Sequence, residues 1–288
     1  MSASLQKKSI RGLETAWLVA GPESAPLVLL LHGFPDTPNC WDSQIQALSS
    51  SYRVIAPYNR GAGLSEPSSS LDRYSLRATT ADLLDILQDI DPTHSRPIVV
   101  IGHDLGGVFA WDLARHLPER IRGLVIVNSA DLLQMGKRWL SSPRQWLKSW
   151  YIPTMLIPKI SQHFLRRYPT LALKGAYSIG ALEASKRPKL SEALKAVVHP
   201  SLFYQALALD MMDRSLRREK NRPITAPLLA INSIRDGFVN ASTTEELRPL
   251  ARDIEIRAFD CGHWPHRERS EEFNTIIKSK IDEWMMKP

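Results

Sequence analysis

The run Gly102-His103-Asp104-Leu105-Gly106-Gly107 puts a carboxylate at the centre of a Gly-x-Asp-x-Gly turn. A strand that feeds straight into a helix through such a turn must bend sharply, and small flanking residues let the backbone close while the central side chain stands clear. A carboxylate there is a weak nucleophile, but its attack on a strained carbon leaves an ester whose carbonyl water can attack in turn. Asp104 is therefore the candidate nucleophile. The competing reading is structural, because aspartate is also a preferred helix N-cap.

Two later segments offer the groups that would activate that water. Ile231-Asn232-Ser233-Ile234-Arg235-Asp236 carries an acid just after an apolar run, and Phe259-Asp260-Cys261-Gly262-His263-Trp264 carries a histidine after the last one. Nucleophile, acid and histidine then follow in the chain order Asp104, Asp236, His263, as a strand-turn-helix nucleophile requires. His266 follows closely, and Gly262 beside His263 supplies a turn; the choice of His263 as the base also rests on the family resemblance given below. His103 and His32 read as supporting residues. In Leu31-His32-Gly33-Phe34-Pro35, a loop after a buried strand can aim a backbone N–H into the site.

The elements that must position these groups are visible in the hydrophobic pattern. Leu27 to Leu31, Arg53 to Ala56, Ile98 to Ile101, Leu124 to Val127, Leu228 to Ile231 and Ile254 to Phe259 read as strands, with Leu13 to Val19 as an antiparallel edge. Helical patterns occupy Leu76 to Ile90, Gly107 to Leu117 and Glu271 to Met285. This alternation predicts an α/β protein with a mostly parallel, doubly wound sheet. It breaks between about Asp131 and Thr225, where Trp146, Trp150, Tyr151, Tyr168, Tyr177, Phe203 and Tyr204 sit in helical or loop-like sequence. An insert of that length between two strands of one sheet predicts a helical cap over the carboxyl edge, with most of its aromatics packed inside. The expected division is core 1–130, cap 131–225 and core 226–288.

Composition narrows the function classes. The 288 residues are 43% hydrophobic and 23% charged, and nothing approaches a membrane-spanning apolar run, so a cytoplasmic protein is expected. The formal charge of +7 comes without any nucleic-acid motif, and its clusters, such as Arg166-Arg167, Lys186-Arg187 and Arg217-Arg218, read as a solvated basic face. Cys40 and Cys261, the only cysteines, read as reduced small residues. No histidine is spaced with a carboxylate for metal binding, so neither metal nor cofactor is expected.

The segments His32-Gly33-Phe34-Pro35, Arg60-Gly61-Ala62-Gly63-Leu64-Ser65, Gly102 to Gly107 and Cys261-Gly262-His263-Trp264 together resemble the α/β-hydrolase superfamily and, within it, the epoxide hydrolases. That resemblance spans nearly the whole chain. It implies two cap tyrosines that protonate the epoxide oxygen, and Ser149-Trp150-Tyr151 and Leu202-Phe203-Tyr204-Gln205 match the segments that carry them. Asp104 would form an alkyl ester, His263 oriented by Asp236 would activate water, and the backbone N–H groups of Phe34 and Leu105 would hold the oxyanion. Some relatives take their acid from the position of Asp131, which is the second choice.

The implied partners are a small apolar epoxide and water, without nucleic acid, and a homodimer is compatible with the sequence. Alternatives are a haloalkane or haloacid dehalogenase with the same acid and base set, a general ester hydrolase, and a non-catalytic ligand receptor on the same scaffold. Leu105, Phe34 and Val108 stand where dehalogenases commonly place a tryptophan, an asparagine or arginines. Leu105, Met155-Leu156 and Tyr58-Asn59 also depart from residues usual in epoxide hydrolases, and they bear on pocket shape.

Overall fold

A computed structural model of the chain describes residues 3–213, 215 and 222–286. Eight strands form one sheet: β1 (Ser4–Ile10), β2 (Leu13–Ala20), β3 (Leu27–Leu31), β4 (Arg53–Pro57), β5 (Ile98–His103), β6 (Ile121–Val127), β7 (Leu228–Ser233) and β8 (Ile254–Phe259). Their spatial order is β1-β2-β4-β3-β5-β6-β7-β8, with β1–β2 and β2–β4 antiparallel and every other pairing parallel. The α/β-hydrolase fold class expected from the sequence is what the structure has.

Strand alternation explains how one sheet serves two cores. Leu27, Leu29 and Leu31 of β3, with Ile98 and Val100 of β5, join the cluster under α2 (Leu76–Ile90) and α3 (Leu105–His116). Val28, Leu30, Val99 and Ile101 point the other way. They pack against α1 (Asp42–Leu48) and the C-terminal helix Ser270–Met286, through residues such as Ile45, Phe273 and Ile281. Burial on both faces is why these strands read as unbroken apolar runs.

One expectation is corrected. Leu13 to Val19 is antiparallel but not the edge, because β1 lies outside it in a hairpin turned by Arg11 and Gly12, both at positive φ. β1 (Ser-Leu-Gln-Lys-Lys-Ser-Ile) is exposed along all but its last residue, so it carries no buried face for a hydrophobic pattern to reveal. Lys7 and Lys8 charge this free edge against pairing with other chains.

Between β6 and β7 the chain forms the helices α4 (Leu132–Ser141), α5 (Pro143–Lys148), α6 (Ile152–Met155), α7 (Pro158–Arg167), α8 (Pro169–Ile179), α9 (Leu190–Ala193) and α10 (Leu202–Met212), with no strand among the described residues. Asp131 starts this insert as the N-cap of α4, its carboxylate accepting from the Leu133 and Gln134 N–H groups. α10 ties the insert down, since Phe203 packs on Tyr74 and Phe109 of the core. Arg217-Arg218, a basic cluster noted above, lies outside the described residues.

Candidate active site

The order of the sheet reverses at β3, which β4 flanks on one side and β5 on the other. In doubly wound sheets the crevice beyond the carboxyl ends of the strands at such a reversal is where ligands bind. Here those ends carry Phe34, in the loop after β3, and Asp104, directly after β5. Asp104 has φ 52° and ψ −121°. That is a costly conformation for a non-glycine residue, held only because the surroundings dictate it. A Cβ on Gly106 would lie 2.1 Å from the Leu31 carbonyl oxygen, and one on Gly33 would lie 2.4 Å from the Asp104 Cβ, so both loops approach too closely for any side chain. Although Asp104 occupies the N-cap position of α3, its side chain makes no capping bond to that helix. Its Oδ1 accepts instead from the Phe34 N–H at 2.9 Å, and the Ser129 hydroxyl donates to its carbonyl at 2.6 Å. The capping alternative therefore does not describe this aspartate.

His263 bridges two carboxylates. Its Nδ1 lies 2.7 Å from Asp236 Oδ2 and its Nε2 lies 3.5 Å from Asp104 Oδ2. The other oxygen of Asp236 accepts from the Phe238 and Val239 N–H groups, fixing that carboxylate's orientation. Burial alone would lower the His263 pKa, but the Asp236 charge and the bonds to Asp104 and Asp236 overcome it, so the imidazole is held charged well above its usual range. Burial would raise Asp104, and its bond to His263 with the neighbouring imidazole charges brings it below the usual carboxylate range.

A cavity of about 460 Å³ opens on Asp104 and His263 from beneath the insert. Tyr151 and Tyr204 line it, their rings 6.1 Å apart at 86°, and the two phenols share a hydrogen bond. Burial, with the Asp104 charge, raises both phenols, so they stay protonated at neutral pH. Phe34 packs edge-on against Tyr204, and Phe238 lies between Tyr151 and His263. Four of the five side chains singled out in the sequence, Asp104, Tyr151, Tyr204 and His263, border this space with Phe34, and the fifth, Asp236, reaches it only through His263.

The sequence profile of the α/β-hydrolase fold matches residues 26–270. The chain belongs to the α/β-hydrolase family. It is 32% identical over 269 residues to the AB hydrolase superfamily protein YfhM of Bacillus subtilis, covering 90% of this chain and 91% of that one. Epoxide hydrolase 4 of Mus musculus is 27% identical over 282 residues, covering 94% and 77%. Among solved structures, an epoxide hydrolase from Vigna radiata superposes with a TM-score of 0.77 at 18% identity, covering 98% of both chains. An epoxide hydrolase of Bacillus megaterium in complex with an inhibitor gives 0.78 at 21%, covering 96% of this chain and all of that one. This α/β hydrolase is thus epoxide hydrolase-like in sequence, and the solved structures share its fold.

Other candidates fall elsewhere in the fold. Asp131 pairs with Arg115 at 2.8 Å while it caps α4, so His263 takes Asp236 as its partner. His32 accepts the Asn59 N–H at Nε2 and meets the Gly33 carbonyl at Nδ1, which braces the Phe34 loop. His103 is buried, with Nε2 2.8 Å from the His263 carbonyl. His266 is buried between the rings of Trp41 and His103. Tyr177 packs on Trp264, and Tyr168 is exposed beside Phe164. Cys40 and Cys261 are both free and buried. No helix among the described residues is long and apolar enough to cross a membrane.

The structure adds residues that sequence reasoning missed. The Lys148 ammonium, at the end of α5, donates to the carbonyls of Asp236 and Val239 at 2.6 and 3.0 Å. Gln145, one turn earlier, donates to the Phe238 carbonyl and accepts from the Asn240 N–H. Asn128 donates to the His263 carbonyl at 2.9 Å, and Asp36 accepts from the Trp264 indole at 2.7 Å. Each acts on a partner 88 or more positions away in the chain, so none had a local signal.

Proposed function

We propose that this α/β hydrolase converts an apolar epoxide to a vicinal diol through a covalent ester on Asp104, with the helical insert as its cap and Tyr151 and Tyr204 as the acids. The observation that carries this reading is the pair of protonated phenols facing the same apolar cavity as the Asp104 carboxylate. Asp104 attacks a ring carbon, the C–O bond breaks, and a phenol gives its proton to the departing oxygen.

Ester formation removes the charge of Asp104, one of the influences that keep His263 protonated. The imidazolium then returns a proton to the phenolate and becomes a base. It takes a proton from water as hydroxide adds to the ester carbonyl, with the N–H groups of Phe34 and Leu105 as oxyanion donors. Collapse expels the diol alkoxide, which takes up the proton from the regenerated carboxyl group. The net reaction is epoxide plus water to diol. Among the described residues lining the cavity there is no Lys or Arg to clamp a haloacid carboxylate.

The test is the His263→Gln variant incubated with a styrene-oxide-type substrate and weighed intact. The expected result is a stable adduct heavier by the whole epoxide, mapping to the peptide that holds Asp104. Sustained turnover by this variant, or no adduct while the wild type turns over, would sink the mechanism.

A further inference from the structure

Between residues 132 and 182 the sequence carries eight Lys or Arg and no Asp or Glu, although the whole chain is only +7 and the remainder sums to −1. Two of the eight are engaged: Arg138 pairs with Glu246, and Lys148 holds the Asp236 loop. The other six, Lys137, Arg144, Lys159, Arg166, Arg167 and Lys174, are exposed, and among the described residues none is in an ion pair. The net positive charge of the chain is thus concentrated on this part of the insert.

The same helices expose apolar side chains where packing was expected. Trp150 (62% exposed), Ile160 (57%), Leu171 (61%) and Phe164 line the cavity and also stand in its mouth. Leu147 (77%) and Ile157 are also exposed, each three residues before Trp150 and Ile160 respectively. On α7 the two kinds of residue interleave, with Ile160 and Phe164 one turn apart and Lys159, Arg166 and Arg167 beside them. Large contiguous apolar patches on soluble proteins mark interaction sites. A basic helix carrying an aromatic and aliphatic face suits the boundary of an anionic bilayer, where apolar side chains enter the acyl region and long cations reach the headgroups.

We propose that the mouth of the cavity docks on an anionic lipid surface, so that α5, α7 and α8 touch the membrane and the cavity opens toward the acyl chains. Charge complementarity selects this occupant: the patch is positive without a compensating carboxylate, which a second copy of itself would repel. Docking stands apart from the chemistry at Asp104. Uptake of an apolar substrate directly from lipid rests on the proposed epoxide reading.

The full chain should float with vesicles of phosphatidylcholine and phosphatidylglycerol mixed at about three to one, with a bound fraction roughly tenfold above that on phosphatidylcholine alone. At about 0.5 M salt, where the Debye length is roughly 4 Å, that preference should shrink several-fold. Lys159→Glu with Arg166→Glu should remove the anionic preference, and Leu147→Glu with Ile157→Glu should remove binding, while near-UV circular dichroism and the melting midpoint stay unchanged. Absence of binding by the wild type overturns the proposal, as does undiminished binding by both folded variants. A patch that instead drives self-association, with the Glu variants turning a dimer into monomers and vesicles ignored throughout, overturns it too. A protein that floats with anionic vesicles yet opens no epoxide keeps the docking surface and loses the proposed reaction.

Discussion

The most exacting residue in the molecule is Asp104, because three demands meet on it: a strained backbone, a bond to the Phe34 N–H and a charge shared with His263. Replacing Asp236 with Asn should leave ester formation nearly intact and slow hydrolysis by roughly 10³ to 10⁴-fold, as expected when a base loses the partner that fixes its tautomer and stabilises its charge. Single-turnover mass spectrometry, which separates the two steps, would show the ester accumulating. Tyr151→Phe combined with Tyr204→Phe should act on the earlier step, cutting ring opening by roughly 10² to 10⁴-fold with no ester detected. At this scale Asp104, Asp236 and His263 were legible because a turn, a strand end and a chain order announce them. Lys148 and Phe238 were not, because their importance exists only after β6 and β7 have brought residues 145–148 and 236–240 together.

Elements were legible where an apolar run or stripe marks them. β3 and α2 were read to the residue, since a two-sided core or one apolar stripe writes itself into the sequence, and β8 was too, although this edge strand is fully buried only at Phe259. β1 left no such trace because solvent, rather than a core, receives its side chains. The insert was readable as helical, but not which aromatics it would bury: Phe203 enters the core while Trp150 faces out, and both follow from tertiary contact alone. The elbow between β5 and α3 makes a direct test of close packing. Gly106→Ala would press a methyl group against the Leu31 carbonyl oxygen, and we expect a loss of about 2–4 kcal/mol, or failure to fold, in urea denaturation. On the opposite face, Ile281→Ala in the fully buried stripe of the C-terminal helix should cost about 2–5 kcal/mol without altering the site.

For the whole molecule, buried histidines set the response to acid. Burial lowers His32 and His103 to about 4, and His266 well below its usual value. Each folded-state value lies below the unfolded one, so their stabilisation is complete above about pH 6.5 and is lost as pH falls toward 4, by about 2 kcal/mol each for His32 and His103 at pH 5. His263 has the opposite sign: its folded value is raised, so its contribution is present at low pH and is lost only as pH rises through that value. Melting midpoints should therefore drop steeply between pH 6.5 and 4.5, and a flat profile there would contradict this account. The tether from α5 to the Asp236 loop limits how far the two halves of the protein can be treated as exchangeable parts. An insert transplanted from a relative for its tyrosines and its pocket, but without a lysine and a glutamine in the places of Lys148 and Gln145, would bring no scaffold for the loop that holds Asp236 against His263. Under the proposed mechanism such a chimera should fold, form the ester once and stop, because a seam two side chains wide holds the Asp236 loop.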